Sequence, residues 1–362
     1  MRTNCGGGET SLWSTDGAFV LESRDALPQL QLAYRTWGRL APGGDNAVVV
    51  CHALTGSADA DVWWAPLFGP GKALDPERDY IICSNALGSC YGSSGPTTPA
   101  PDGKPWGARF PAITLRDQVR AQIALVSWLG VRRIKLVVGG SMGALQALEW
   151  AVLDSRRVQA VAAIAGSARH SPWCIAWNEA QRLALSADPK FCNGHYDPAN
   201  PPAQGLAAAR AIAMVTYRSP ASLTRHTRTP GGVGDWLRHH GEKLVARFDA
   251  NSYLRLLDAL DSHDLARDRG SLTETLCAIR QPVLVVSIDS DALYLPEEQR
   301  TLARQLPDAQ LISIDSPHGH DGFLIDAERI EPVIRDFRSK PLTAGAASYR
   351  PEGIGRLQSV AA

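Results

Sequence analysis

The 362-residue sequence has no excess of charge of either sign: 37 Lys and Arg stand against 37 Asp and Glu. Nucleic acids and anionic membrane surfaces select a basic excess, so neither is an expected partner. Long hydrophobic runs are also missing. The longest apolar stretch, residues 136–148, is interrupted by Gly139-Gly140-Ser141 and is too short to span a bilayer. Residues 1–13 contain no apolar segment of the kind a secretory signal requires. Cysteine is sparse and scattered. Cys5, Cys51, Cys83, Cys90, Cys174, Cys192 and Cys277 make an odd set of 7 without a C-x-x-C spacing. That argues against a disulfide framework or a zinc cluster and for reduced thiols. The expectation is a soluble, cytoplasmic protein.

Apolar residues make up 44% of the chain, which excludes general disorder, and 32 Gly with 24 Pro imply many tight turns. Short β-branched runs at 47–50, 80–83, 134–138, 161–165, 283–286 and 311–314 lack polar alternation and read as strands buried on both faces. Helical patterns lie between them. The clearest spans 115–129, with Leu115, Val119, Ile123 and Val126 at helical spacing, Thr114 as N-cap and Gly130 as stop. Strands alternating with helices predict an α/β fold, a mostly parallel sheet with helices on both faces. The alternation lapses after about 165 and resumes near 281. The interval holds helix-like segments at 175–185, 203–213 and 253–261 and loops at 197–202 and 229–234. The predicted organisation is a core of residues 1–166 and 279–340, a helical cap at 167–278, and an aperiodic tail at 341–362 that is a candidate for disorder.

The candidate nucleophile lies in Gly139-Gly140-Ser141-Met142-Gly143, a G-x-S-x-G pattern. The pattern alone is weak, but here a buried strand precedes it and a helical pattern follows at once. Such a turn strains the serine backbone and needs glycines on either side. It also places the serine at a helix N-terminus, where negative charge is favoured. A serine hydroxyl needs a base, and in α/β hydrolases the chain order is serine, acid, histidine. The segment after 283–286 offers Asp289 and Asp291; that after 311–314 offers His318 and His320. Spacing does not choose within either pair. The segment after 47–50, Cys51-His52-Ala53-Leu54-Thr55-Gly56, is placed to complete an oxyanion hole, for which the backbone amides of Leu54 and Met142 are the candidates. His52 precedes the nucleophile and reads as a residue shaping that loop.

With these residues assembled, the chain resembles the homoserine O-acetyltransferase family of α/β-hydrolase-fold acyltransferases. The matching segments run from Ala33-Tyr34-Arg35-Thr36-Trp37-Gly38 to Leu324. They include His52-Ala53-Leu54-Thr55-Gly56, Leu87-Gly88-Ser89-Cys90-Tyr91-Gly92, the serine turn continuing to Gln146-Ala147-Leu148-Glu149-Trp150, Thr216-Tyr217-Arg218-Ser219 and Arg247-Phe248-Asp249-Ala250-Asn251-Ser252-Tyr253-Leu254. The resemblance implies an α/β-hydrolase fold with an inserted helical cap, Asp291 as the acid and His320 as the base. It further implies that Arg210 binds the substrate carboxylate and Asp321 its amino group. The implied reaction is acetyl transfer from acetyl-CoA to L-homoserine through an acyl-serine, in methionine biosynthesis, by a homodimer. Acetyl-CoA is then a co-substrate, and no metal or other cofactor is expected. Competing readings keep the scaffold and change the substrates, to a succinyl donor or a serine acceptor, or make the chain a plain esterase or lactonase. A non-catalytic interaction domain is disfavoured by the complete set of catalytic groups.

Overall fold

The six apolar runs become six adjacent parallel strands. In a computed structural model that describes residues 9–224 and 231–339, the strands are β1 Ser11–Ser14, β2 Phe19–Val20, β3 Ala26–Leu27, β4 Gln31–Trp37, β5 Ala47–Cys51, β6 Tyr80–Ser84, β7 Ile134–Gly140, β8 Val161–Ile164, β9 Val283–Ile288 and β10 Ala309–Ile314. The main sheet has the order β1-β4-β6-β5-β7-β8-β9-β10, and β2 pairs with β3 as a separate ribbon. From β6 to β10 every pairing is parallel, with Val49 opposite both Ile82 and Val137. β4 and β1 add antiparallel strands at one edge. These two were not foreseen: Gln31, Arg35 and Thr36 make β4 half polar, unlike a doubly buried strand.

Side chains alternate across the sheet. Val49, Ile82, Val137, Val161 and Val285 pack under the helices Leu115–Trp128, Met142–Leu153 and Pro296–Gln305. Val48, Ile81, Leu136 and Val286 face Trp64 and the helix Ala327–Ser339. Both faces are thereby covered, each buried aliphatic contributing about 1.5–3 kcal/mol relative to exposure. The helix Leu115–Trp128 starts with a capping box: Thr114 accepts from the Asp117 amide, and Asp117 accepts from the Thr114 amide.

Between Ile164 and Val283 the described residues contribute helices and no strand of the main sheet. Pro172–Ser186, Ala203–Tyr217 and Ala250–Asp261 extend the three predicted segments. Gly232–Val245 is a helix where 229–234 was expected to be a loop; its apolar residues are few, and the expectation followed the glycines. Residues 229 and 230 lie outside the described residues, as does the predicted tail 341–362. Leu206, Tyr253 and Leu256 of these helices share a core with Leu54, Met142 and Leu145, so the helical layer sits over the carboxyl ends of β5 and β7. Among the described residues no helix is long and apolar enough to cross a membrane.

Candidate active site

Ser141 occupies the turn between β7 and the helix Met142–Leu153 with φ +58° and ψ −126°, a conformation costing of order 1–3 kcal/mol for a non-glycine residue. Its neighbours permit it. A Cβ on Gly143 would stand 2.1 Å from Cys51 O, and one on Gly139 would stand 2.2 Å from Gly143 O. The Ser141 amide donates to Ile164 O of β8 at 2.9 Å, which holds the turn to the sheet.

His320 Nε2 lies 2.8 Å from Ser141 Oγ, and its Nδ1 lies 2.7 Å from Asp291 Oδ2. With Nδ1–H donating to the carboxylate, Nε2 is left to accept the serine proton. Asp291 Oδ1 accepts the amides of Leu293 and Tyr294 at 2.8 and 3.0 Å, which fixes the carboxylate. Rings of Phe323, Tyr294 and Tyr217 stand 5.4–5.7 Å from the imidazole, giving it a dry surround. Burial opposes charge on His320, but the Asp291 charge and hydrogen bond, helped by Asp321, leave its pKa above the ordinary 6.5. The rival residues lie elsewhere. Asp289 is exposed and accepts from Ser313 Oγ; His318 Nδ1 is 3.4 Å from Ser222 Oγ.

Met142 is the first residue of its helix, so its N–H points outward without an intrahelical acceptor. Leu54 lines the same cavity as Ser141, and its amide has no backbone acceptor among the described residues. His52 holds that loop: Nδ1–H donates to Ala53 O at 2.7 Å, and Nε2 accepts the Ala86 amide at 2.9 Å. Burial pushes its pKa down, keeping it neutral for both bonds.

The cavity above Ser141 has a volume of about 410 Å³, and Arg210, Tyr217, Asp321, Lys243 and Arg247 are in its wall. Arg210 lies with its guanidinium carbon 5.3 Å from the Tyr217 ring centroid and forms no ion pair among the described residues. Asp321 is paired with Arg218, Nε to Oδ2 at 2.9 Å. That partner was not foreseen, although Arg218 stands in the quoted Thr216-Tyr217-Arg218-Ser219 segment. Its adjacency to Tyr217 was the available signal, but no local pattern links residue 218 to residue 321. Arg247 reaches from the helical layer to Thr55 O at 2.8 Å and Tyr91 Oη at 2.5 Å, tying that layer to the Leu54 loop. Among the described residues no group of three or more His, Cys, Asp or Glu side chains is gathered as metal ligands would be.

A sheet of this order, with serine, acid and histidine at the ends of β7, β9 and β10, has the form of an α/β hydrolase, and the family model described as the alpha/beta hydrolase fold matches residues 46–327. More closely, the chain belongs to the homoserine O-acetyltransferase family. It is 53% identical to the homoserine O-acetyltransferase of Trichormus variabilis over 338 residues, covering 91% of this chain and 94% of that one. Its identity to the homoserine O-acetyltransferase of Nostoc punctiforme is 50% over 339 residues, covering 90% and 95%. Among solved structures, esterase E22 superposes with a TM-score of 0.86 at 25% identity, covering 91% and 99% of the two chains.

Proposed function

We propose that this acyltransferase moves an acetyl group from acetyl-CoA to the side-chain hydroxyl of L-homoserine by way of acetyl-Ser141. The observation that carries the reading is that one cavity joins the Ser141–His320–Asp291 chain to Asp321 and to Arg210, which has no ion pair among the described residues. A nucleophile with a base serves any ester. A cation and a carboxylate beside it suit a zwitterion, because a guanidinium fork meets a carboxylate and an aspartate meets an ammonium.

In the first half-reaction Ser141 Oγ attacks the thioester carbonyl as His320 Nε2 takes its proton. The oxyanion accepts the Leu54 and Met142 amides. Collapse breaks the C–S bond, and His320 returns the proton to the departing thiolate. In the second, His320 removes the proton from the homoserine hydroxyl, which attacks the acetyl carbonyl; collapse restores Ser141 Oγ–H. Arg210 and Asp321 hold the acceptor so that its hydroxyl faces the carbonyl, raising its effective concentration above collision. The proposed chemistry calls on no metal or redox group. Its setting is methionine biosynthesis in the cytoplasm, by a homodimer.

The E22 likeness supports a second reading, an esterase in which water is the acceptor. One assay separates the readings: acetyl-, propionyl- and succinyl-CoA against homoserine, serine and water, followed by thiol release. Rapid release only with acetyl-CoA plus homoserine is expected. Equal release without any acceptor supports the esterase.

A further inference from the structure

The helical layer and the loop that carries His320 are joined almost residue by residue. Ser219 Oγ donates to Pro317 O, and Ser222 Oγ meets His318 Nδ1 at 3.4 Å. Tyr217 stands 5.7 Å from His320, ring to ring. Gly319, at φ +70°, has no room for a side chain: a Cβ would lie 2.5 Å from Ser219 N. The two backbones therefore run against one another.

One of these contacts joins opposite charges beside the nucleophile. Arg218 is held on three sides, by Asp321 Oδ2 at 2.9 Å, by Ser222 Oγ at 3.3 Å, and by the Trp236 ring, whose centroid is 5.4 Å from its guanidinium carbon. Asp321 lines the cavity and Arg218 does not. Oδ2 is thus occupied from behind, while Oδ1 takes no partner among the described residues.

We propose that Arg218 is a positioning residue for acceptor choice: by gripping Asp321 Oδ2 from outside the cavity it keeps Oδ1 turned inward as an ionic anchor for the acceptor ammonium. The proposal rests on the acceptor reading given above. Its physical basis is geometry and charge together. Burial raises the pKa of Asp321, and the Arg218 charge is the foremost opposing influence, ahead of Arg210 and His320; Tyr217 faces it too, and Lys243 and Arg247 share the cavity wall. A protonated carboxyl offers an ammonium no ion pair. Arg218 therefore favours discharge of the acetyl-enzyme to an amino acid over discharge to water or a neutral alcohol, neither of which uses Asp321.

The test compares Arg218→Gln, Arg218→Lys and Asp321→Asn with the parent, after thermal melts show each is folded. Acetylation is followed by the burst of coenzyme A thiol, and discharge is measured with L-homoserine, 1-propanol and water across pH. For Arg218→Gln the homoserine KM in discharge should rise roughly ten- to a hundredfold. Discharge to propanol and water should change far less. The homoserine defect should ease as pH rises, because Asp321 then ionises without its partner, and Arg218→Lys should recover most of it. A parent-like homoserine KM in Arg218→Gln, with Asp321→Asn impaired, overturns the proposal and leaves the acceptor reading standing. A parent-like KM in Asp321→Asn overturns the acceptor reading itself. Equal losses with all three acceptors, unrelieved by pH or lysine, would show a purely structural role and also overturn the proposal.

Discussion

Asp289 and Asp291 stand two residues apart, and hydrogen bonding separates them. The Asp289 amide donates to Ile314 O, continuing the sheet ladder and leaving its side chain at the surface. The Asp291 amide donates to Ile288 O, and that turn swings its carboxylate in toward His320. Spacing after the strand could not tell them apart, because the difference lies in where the ladder stops. The resemblance to the family did point to Asp291. Asp291→Asn should lower kcat on the order of 10³- to 10⁴-fold, by analogy with triads whose acid is amidated. Asp289→Asn should stay within about twofold, as exposed sites away from special features do. Steady-state thiol release checks both. The base must be neutral to accept a proton, and its pKa is raised by Asp291 and Asp321. Acetylation should therefore fall with decreasing pH along a limb centred above the ordinary imidazole value of 6.5. In Asp291→Asn that limb should move to lower pH; a limb moving the other way would show that Asp291 does not raise it.

At the scale of elements, the helix Leu115–Trp128 was legible to within a residue, because its cap, period and glycine stop agree. Removing the cap in Thr114→Ala should cost about 1 kcal/mol, read as a shift of the denaturant midpoint with activity retained. The helical layer was legible only in part. Gly232–Val245 was hidden by its glycines, one of which, Gly241, packs directly against Ala207 of the neighbouring helix. Ala203–Tyr217 was clearer, and it delivers Arg210 to the cavity at one point and Tyr217 against His320 at another. One helix thus supplies both a residue of the proposed acceptor site and a ring packed against His320. Arg210→Ala should slow discharge to homoserine roughly ten- to 150-fold, the equivalent of about 1.5–3 kcal/mol for a charge-assisted bond. Acetylation by acetyl-CoA should suffer much less, and separate single-turnover measurements of the two steps read the contrast.

At the scale of the molecule, Ser141 and His320 are separated by 179 positions in sequence and 2.8 Å in space. The parallel order β7-β8-β9-β10 closes that gap by bringing successive carboxyl ends to one edge. For β7, β8 and β9 this follows from runs of Val, Ile and Leu that a doubly covered sheet buries; β10 lies at the edge with Leu311 exposed and Ile314 alone buried, so burial on both faces does not hold for it. The antiparallel edge strands did not follow, since a half-polar strand such as β4 looks like a loop when its neighbours are unknown. Nor did the Arg218–Asp321 pair, which joins residues 103 apart through tertiary packing alone. A covalent acetyl-enzyme that an amino acid discharges leaves a signature in the intact mass of the protein. Protein mixed with acetyl-CoA alone should gain one acetyl group, mapped to Ser141 and missing in Ser141→Ala. Adding L-homoserine should then remove it and release an equal amount of O-acetylhomoserine. Turnover with no acetyl on Ser141, or an acetyl-enzyme that homoserine discharges no faster than water does, would contradict the account.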